Sequence, residues 1–330
     1  MVNIKPVQII GTGSYIPKKV LTNSDLEKIV DTSNEWIVTR TGIRERHLAE
    51  KDETTSDLSL KASLSAIEDA NIKPNEIDLI ILATNSPDML FPSTACILQK
   101  KIKAFNAATF DLQAGCTGFV YAMITAWQFI ASGFYKNALV IGAEVISRFV
   151  DWSDRNTCVL FGDGAGAVVL KSGEEKGLLS GYLKGDGRGE DLIQLPGGAV
   201  KIPASKATIE QRLHYIKMKG NEVFKVAVKE MKHSTINALN KCNLSVKDIN
   251  LFIPHQANIR IIAAVARVLG IKKDKIFLNL HKYGNTSAAS VAIALDEAIK
   301  EKRIKNGDIV VLTAFGAGLT TGSIVFSWKR

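Results

Sequence analysis

The chain has 330 residues, 46% of them apolar and 23% charged, with a formal charge of +9 and four cysteines. That is ordinary globular composition and enough length to bury a large core or two fused halves. Cys96, Cys116, Cys158 and Cys242 form no C-x-x-C pair and have no histidine at ligand spacing, which argues against a zinc site and a disulfide framework. The first residues, MVNIKPVQIIGTG, lack a basic segment followed by a long apolar one, and no apolar run approaches a membrane span. The expectation is a soluble, reduced, cytoplasmic protein that does not enter a membrane. The basic residues are scattered, with no arginine-rich tail and no RNA-recognition signature, so nucleic acid is not the expected partner. A lysine-rich solvated surface accounts for most of the excess charge, and an acidic protein or phosphorylated ligand would also suit it.

Along the chain, runs dense in Ile, Val and Leu alternate with helical patterns. VQII leads into GTGSYIP, where the third glycine of a dinucleotide motif is Ile16 and Pro17 opposes a helix start. TSDLSLKASLSAIEDAN reads as a helix and IDLIILAT as a strand, and Cys96 falls in the next helical pattern. AATFDLQAG then leads to Cys116, followed by the apolar helix FVYAMITAWQFIASG and the strand NALVIGAE. Cys158 falls in the strand-like run TCVLF. FGDGAGAVVL has the wrong spacing for a phosphate loop and runs into a strand, and no G-x-x-x-x-G-K-[ST] occurs. The helix EVFKVAVKEMKHSTINALNKC takes in Cys242, the strand INLFIP ends at His255, and NIRIIAAVARVLG follows as a helix. DIVVLTAF closes the series, with FGAGLTTG as a turn between two strands. Such alternation predicts an α/β architecture with helix-covered sheets.

The chain also repeats itself. Glu76-Ile77-Asp78-Leu79 matches Asp248-Ile249-Asn250-Leu251 at an offset of 172 residues, and Ala83 then stands opposite His255. AGCTGFVYA at 114–122 matches YGNTSAASV at 283–291, which sets Cys116 opposite Asn285. A duplicated α/β unit places equivalent loops around a pseudo-two-fold axis. Ligand sites in such sheets lie at strand carboxyl ends. The repeat therefore predicts that Cys116, His255 and Asn285 meet.

Cys116 stands between a strand and a helix N-terminus, a setting expected to lower a thiol's pKa and make it a nucleophile. Singly, each residue has a plainer reading: an inert buried thiol, a packed histidine, a helix N-cap at Asn285. Together they form a Cys-His-Asn site, and backbone N–H groups of the FGAG turn are candidates for an oxyanion hole.

With SNEWIVTRTGIRERH, AGCTGF, FGDGAGA, GNEVFKVAV, HQANIRI, YGNTSAAS and FGAG in this order, the chain resembles β-ketoacyl-acyl-carrier-protein synthase III over essentially its whole length. The resemblance implies a thiolase-like fold of five αβαβα layers. The half spanning 1–175 would hold the nucleophile, and the half spanning 176–330 the histidine and asparagine. It implies Cys116, His255 and Asn285 as the triad, with Cys116 and Ala317 giving the oxyanion N–H groups. Acetyl transfer from acetyl-CoA and decarboxylative condensation with malonyl-carrier protein would follow, without metal or redox cofactor. It implies CoA contacts at Thr32, Trp36, Arg40, Arg155, Asn221 and Asn258, and a homodimer in which Phe91 is lent to the partner's acyl pocket. Lys225, Arg260 and Arg267 are the basic residues that would meet an acidic carrier protein. The rival readings are a paralogue using another acyl starter in secondary metabolism, a non-catalytic binding protein on the same scaffold, and a papain-like hydrolase.

Overall fold

The computed structural model describes residues 4–330. Nine strands build its two large sheets. β1 (Val7–Tyr15), β2 (Leu79–Ala83), β3 (Ala108–Leu112), β4 (Asn137–Glu144) and β5 (Gly164–Ser172) form the first, in the order β1-β5-β4-β2-β3. β6 (Leu178–Gly185), β7 (Leu251–Pro254), β8 (Ile309–Gly316) and β9 (Thr320–Ser327) form the second, in the order β7-β8-β9-β6.

The helices that position the site are α1 (Asn34–Thr41), α2 (Thr55–Asp69), α3 (Thr94–Ile102), α4 (Gly118–Ala131), α5 (Gly220–Lys241), α6 (Ile259–Leu269) and α7 (Ser290–Lys300). α2 and α3 cover the outer face of the first sheet, and α5 covers that of the second with α6 beside it. Between the sheets lie α4 and α7, which touch both. These are the five layers that the resemblance implies.

Strand chemistry follows from this sandwiching. In β2, Leu79 and Ile81 join the central core, while Ile80 and Leu82 join the outer core under α2 and α3. In β8, Val310 and Leu312 face the centre and Val311 and Phe315 face α5 and α6. A strand covered on both faces carries no polar alternation, which is why these runs read as continuous apolar stretches. α4 is the innermost helix, and burying Phe119 or Met123 in it is worth about 2–3 kcal/mol each.

The repeat is visible in strand pairing. Leu79 pairs with Ala138 in parallel, and Leu251 pairs with Val310 in parallel, each member displaced by 172 residues. Both sheets then continue with two antiparallel neighbours. The motif GTG lies inside β1. A Cβ on Gly11 or Gly13 would come within 2.3 or 2.4 Å of α2 carbonyls, so these glycines serve close helix-on-strand packing. Cys158 ends a short helix, Arg155–Cys158, where the sequence reads as strand. The run TCVLF is apolar because it is buried as a loop against Arg46, whose guanidinium donates to the Val159 carbonyl. No helix among the described residues is long and apolar enough to cross a membrane.

Candidate active site

Cys116 lies between β3 and α4, His255 directly follows β7, and Asn285 lies between α6 and α7. All three line one cavity of about 1310 Å³, with Ser287, Phe315 and Ala317 beside them. Residues 139 and 169 positions from Cys116 are thus brought to one floor by the pseudo-symmetric strand ends.

Each side chain is held by its neighbours. His255 is 4% exposed and its Nδ1 lies 2.6 Å from Ser290 Oγ. Gln256 N–H donates to the same oxygen at 3.4 Å, and when the Ser290 hydroxyl gives its proton to Nδ1 the neutral ring carries its own proton on Nε2. Burial lowers the His255 pKa to about 4, so the ring is neutral at physiological pH. Gln256 is a clamp beneath it, donating to the Pro254 and Phe277 carbonyls and accepting from Asn279 N–H. The Asn285 carbonyl oxygen accepts from Ser287 N–H at 2.9 Å, so its Nδ2–H₂ end is the one left for a ligand. Its backbone exchanges hydrogen bonds with Leu160 and Gly162, and a Cβ on Gly162 would stand 2.3 Å from the Tyr283 carbonyl. FGDGAGA is therefore the seat of the asparagine loop.

The thiol departs from expectation. Cys116 does precede the N-terminus of α4, but burial pushes its pKa up to about 11, helped by the Glu144 carboxylate. Desolvation outweighs the helix end in the substrate-free site. Against this, Ser287 Oγ lies 3.4 Å from Cys116 Sγ and favours the thiolate. The backbone around the sulfur is unusually close. A Cβ on Gly115 (φ +56°) would stand 2.5 Å from Ala317 N, and one on Gly316 would stand 2.3 Å from Cys116 N. Glycine at both positions lets the backbones at Cys116 and Ala317 approach closely.

Toward its mouth the cavity is lined by Trp36, Arg40, Asn221, Lys225, Asn258 and Arg260. The Arg155 guanidinium lies 4.8 Å from the Trp36 ring centre, and that of Arg40 lies 5.6 Å away. Arg155 also donates to the Asp31 carbonyl at 2.9 Å. Asn258 caps α6 by accepting from Arg260 N–H. Arg155 and Thr32 are not among the lining residues; Arg155 is exposed, and Thr32 Oγ1 is buried without a hydrogen-bond partner. Arg267 is exposed on α6, away from the lining. Phe91 does not line its own chain's cavity and is 85% exposed.

Sequence reading missed a second ring of side chains. Ser287, Ser290, Gln256, Asn85 and Glu144 hold the first ring in place. Ser287 and Ser290 sit inside the motif GNTSAAS, and Glu144 is an acid closing the fully buried strand NALVIGAE. A charge ending such a strand is the signal that was available.

The architecture is the thiolase fold, shared with enzymes that condense acyl thioesters. Residues 110–187 match the family model for 3-oxoacyl-[acyl-carrier-protein] synthase III, and 239–328 match that for its C-terminal part. The β-ketoacyl-[acyl-carrier-protein] synthase III of Caldanaerobacter subterraneus subsp. tengcongensis is 56% identical over 98% of both chains. The crystal structure of the synthase III from Aquifex aeolicus superposes with a TM-score of 0.91 at 50% identity, over 98% of this chain and 100% of that one. The priming β-ketosynthase of the R1128 polyketide pathway is equally close in shape, with a TM-score of 0.93 over 100% and 98%, but only 32% identical. The chain belongs to the β-ketoacyl-acyl-carrier-protein synthase III family.

Proposed function

We propose that the protein starts fatty acid synthesis by condensing an acetyl group with malonyl-carrier protein at the Cys116 floor. As a family member it is a condensing acyltransferase that works on acyl-CoA and carrier-protein thioesters. In the first half-reaction the Cys116 sulfur attacks the acetyl-CoA carbonyl. The paired N–H groups of Cys116 and Ala317 hold the oxyanion, and CoA leaves with a proton. In the second, the malonyl carboxylate leaves as carbon dioxide and its bonding electrons move onto the thioester oxygen. His255 Nε2–H and Asn285 Nδ2–H donate to that oxygen. The carbanion attacks the acetyl carbon, and Cys116 departs as thiolate, releasing acetoacetyl-carrier protein. These steps exchange thioesters and lose carbon dioxide, and call for neither a redox carrier nor a metal.

The observation that carries this reading is the convergence of a thiol, a neutral imidazole donor and an amide donor on one floor, with paired backbone N–H groups behind the thiol. The Trp36–Arg155 stack suits an adenine, and Arg40, Asn221 and Asn258 line the path down to the sulfur. Lys225 and Arg260 are exposed residues that line the cavity, and Arg267 is exposed further along α6, a set that would steer an acidic carrier protein. Met89, Leu90 and Phe91 are 49%, 80% and 85% exposed, an apolar loop suited to a homodimer contact in which Phe91 enters the partner's acyl pocket. The thioester substrates of this reading are soluble, and the reaction is assigned to the cytoplasm.

Intact mass after incubation with acetyl-CoA alone tests the assignment. The wild type should gain one acetyl group, Cys116→Ala none, and malonyl-carrier protein should discharge the label with release of carbon dioxide. A wild type that takes no acetyl, longer or branched acyl group would sink the role of Cys116.

A further inference from the structure

Behind Cys116 lies a buried polar cluster that the reaction above does not use. Glu144 closes β4 and is 0% exposed. Its carboxylate accepts from Ser86 Oγ at 2.6 Å, from Asn85 Nδ2 at 2.7 Å and from Asn85 N–H at 3.1 Å. Thr84 Oγ1 at 3.3 Å and Ala288 N–H at 3.4 Å complete the shell. Ser86 Oγ itself accepts from Val145 N–H, and Thr84 Oγ1 accepts from Ser86 N–H, so both hydroxyl protons are free to point at the carboxylate. Burial pushes the Glu144 pKa up, and the donors ringing it oppose that shift by favouring the ionised form, which acts as acceptor only.

That has a consequence for Asn85. Glu144 selects the Nδ2–H₂ end of its amide, and the second proton of that group points at Ser287 Oγ, 3.2 Å away. The Asn85 donor fills a lone pair on Ser287 Oγ. The hydroxyl proton is then left for an acceptor, and two stand nearby: the Glu144 carboxylate, whose ionised form Ser287 also favours, and Cys116 Sγ, 3.4 Å off. Ser287 also adopts φ +48°, a left-handed conformation that is strained for a serine and free for a glycine. The chain keeps a side chain where the backbone favours none.

We propose that the Ser287 hydroxyl donates to the Cys116 sulfur and stabilises its thiolate, and that Asn85 and Glu144 are positioning residues that aim this hydroxyl. The same donor serves when the thiolate is expelled from the acyl-enzyme in the condensation step. The proposal rests on Cys116 being the acyl acceptor. Glu144 works in two opposed ways, since its hydrogen bonds orient the donor while its charge disfavours a second anion nearby. The other titratable groups on this floor are His255, neutral above about pH 4, and Asp111, whose carboxyl is engaged by the N–H groups of Thr94 and Ala95 at the start of α3.

The test is the rate of iodoacetamide alkylation of Cys116, followed by peptide mass between pH 7 and 10. Ser287→Ala should raise the apparent thiol pKa by about one unit, slowing alkylation roughly tenfold at pH 8. Glu144→Gln should shift it the other way. Its amide oxygen can keep the Asn85 contacts, its amide nitrogen faces hydroxyls that can turn to accept, and the charge is gone. Asn85→Ala should act as Ser287→Ala does but less strongly, and it stands in if either of the others does not fold. Ser287→Ala and Glu144→Gln moving the apparent pKa in the same direction, or a Ser287→Ala profile that overlays the wild type, would overturn the proposal. Wild-type acetylation by acetyl-CoA is measured alongside. If acetylation fails while the alkylation shifts appear, the hydrogen-bond network stands and the acyl-acceptor role falls. If acetylation succeeds while the shifts are missing, the reverse holds.

Discussion

The two halves share a topology and differ in what they place at equivalent strand ends. β4 ends in Glu144 and β8 ends in Gly316, positions 172 residues apart that the repeat superposes. The carboxylate arranges donors behind the sulfur. The glycine lets two backbone loops meet, and a Cβ there would collide with Cys116 N. Likewise β2 runs into Thr84-Asn85-Ser86, which serves Glu144, while β7 runs into His255, which faces substrate. In the proposed mechanism the first half carries the nucleophile and the second supplies donors, Ser287 to the sulfur and His255 and Asn285 to developing negative charge.

Erasing the contrast at the strand ends should have the largest effect. Gly316→Ala adds a Cβ 2.3 Å from Cys116 N, so one of the two loops must retreat and the paired N–H groups separate. Acetyl transfer should fall by about 10²–10³, the usual loss when one oxyanion donor is misplaced. A transfer rate within a few-fold of wild type would mean that the Cys116 and Ala317 N–H groups do not hold the oxyanion.

Separating the halves by function should give the next largest effect. His255→Ala and Asn285→Ala each remove one enolate donor, and the rate of malonyl-carrier protein decarboxylation should drop roughly 10²-fold. Acetyl labelling of Cys116 should survive, because the first half-reaction relies on the backbone donors. Equal loss of both half-reactions would place these two residues on the thiol itself. A smaller effect is expected at the mouth. Trp36→Ala removes the ring stacked with Arg155 and should raise the KM for acetyl-CoA about tenfold with kcat little changed. A fall in kcat alone would argue against a CoA-binding role.

The sequence revealed the repeat and the three residues that meet on the cavity floor, and concealed the ones packed around them. Periodic strands, the constant offset and the loops bearing Cys116, His255 and Asn285 were legible because buried strands and strand–helix turns have compositional signatures. Asn85 and Glu144 are not legible in that way. Their roles depend on which end of an amide faces which oxygen, and that follows from packing between residues 59 to 202 positions apart. The raised thiol pKa escapes the sequence for the same reason. A helix N-terminus can be read from local sequence, whereas desolvation at the junction of two sheets cannot.

The smallest expected effect concerns pH, and it separates a donor from a base. Burial places the His255 pKa at about 4, against 6.5 for an ordinary imidazole. The neutral form that donates from Nε2 is therefore present at every pH above about 4. Decarboxylation of malonyl-carrier protein should stay flat from pH 8 down to pH 5.5, with no midpoint near 6.5. Conformational stability follows the opposite rule. Below pH 6.5 the unfolded chain protonates this histidine and the folded chain does not, so the His255 contribution erodes as pH falls from 6.5 toward 4. His255→Asn should lessen that erosion in thermal melts between pH 6.5 and 4.5. A decarboxylation rate that halves near pH 6.5 in the wild type would show an imidazole exposed enough to titrate, and the neutral-donor account of the second half would then fail even if the triad stands.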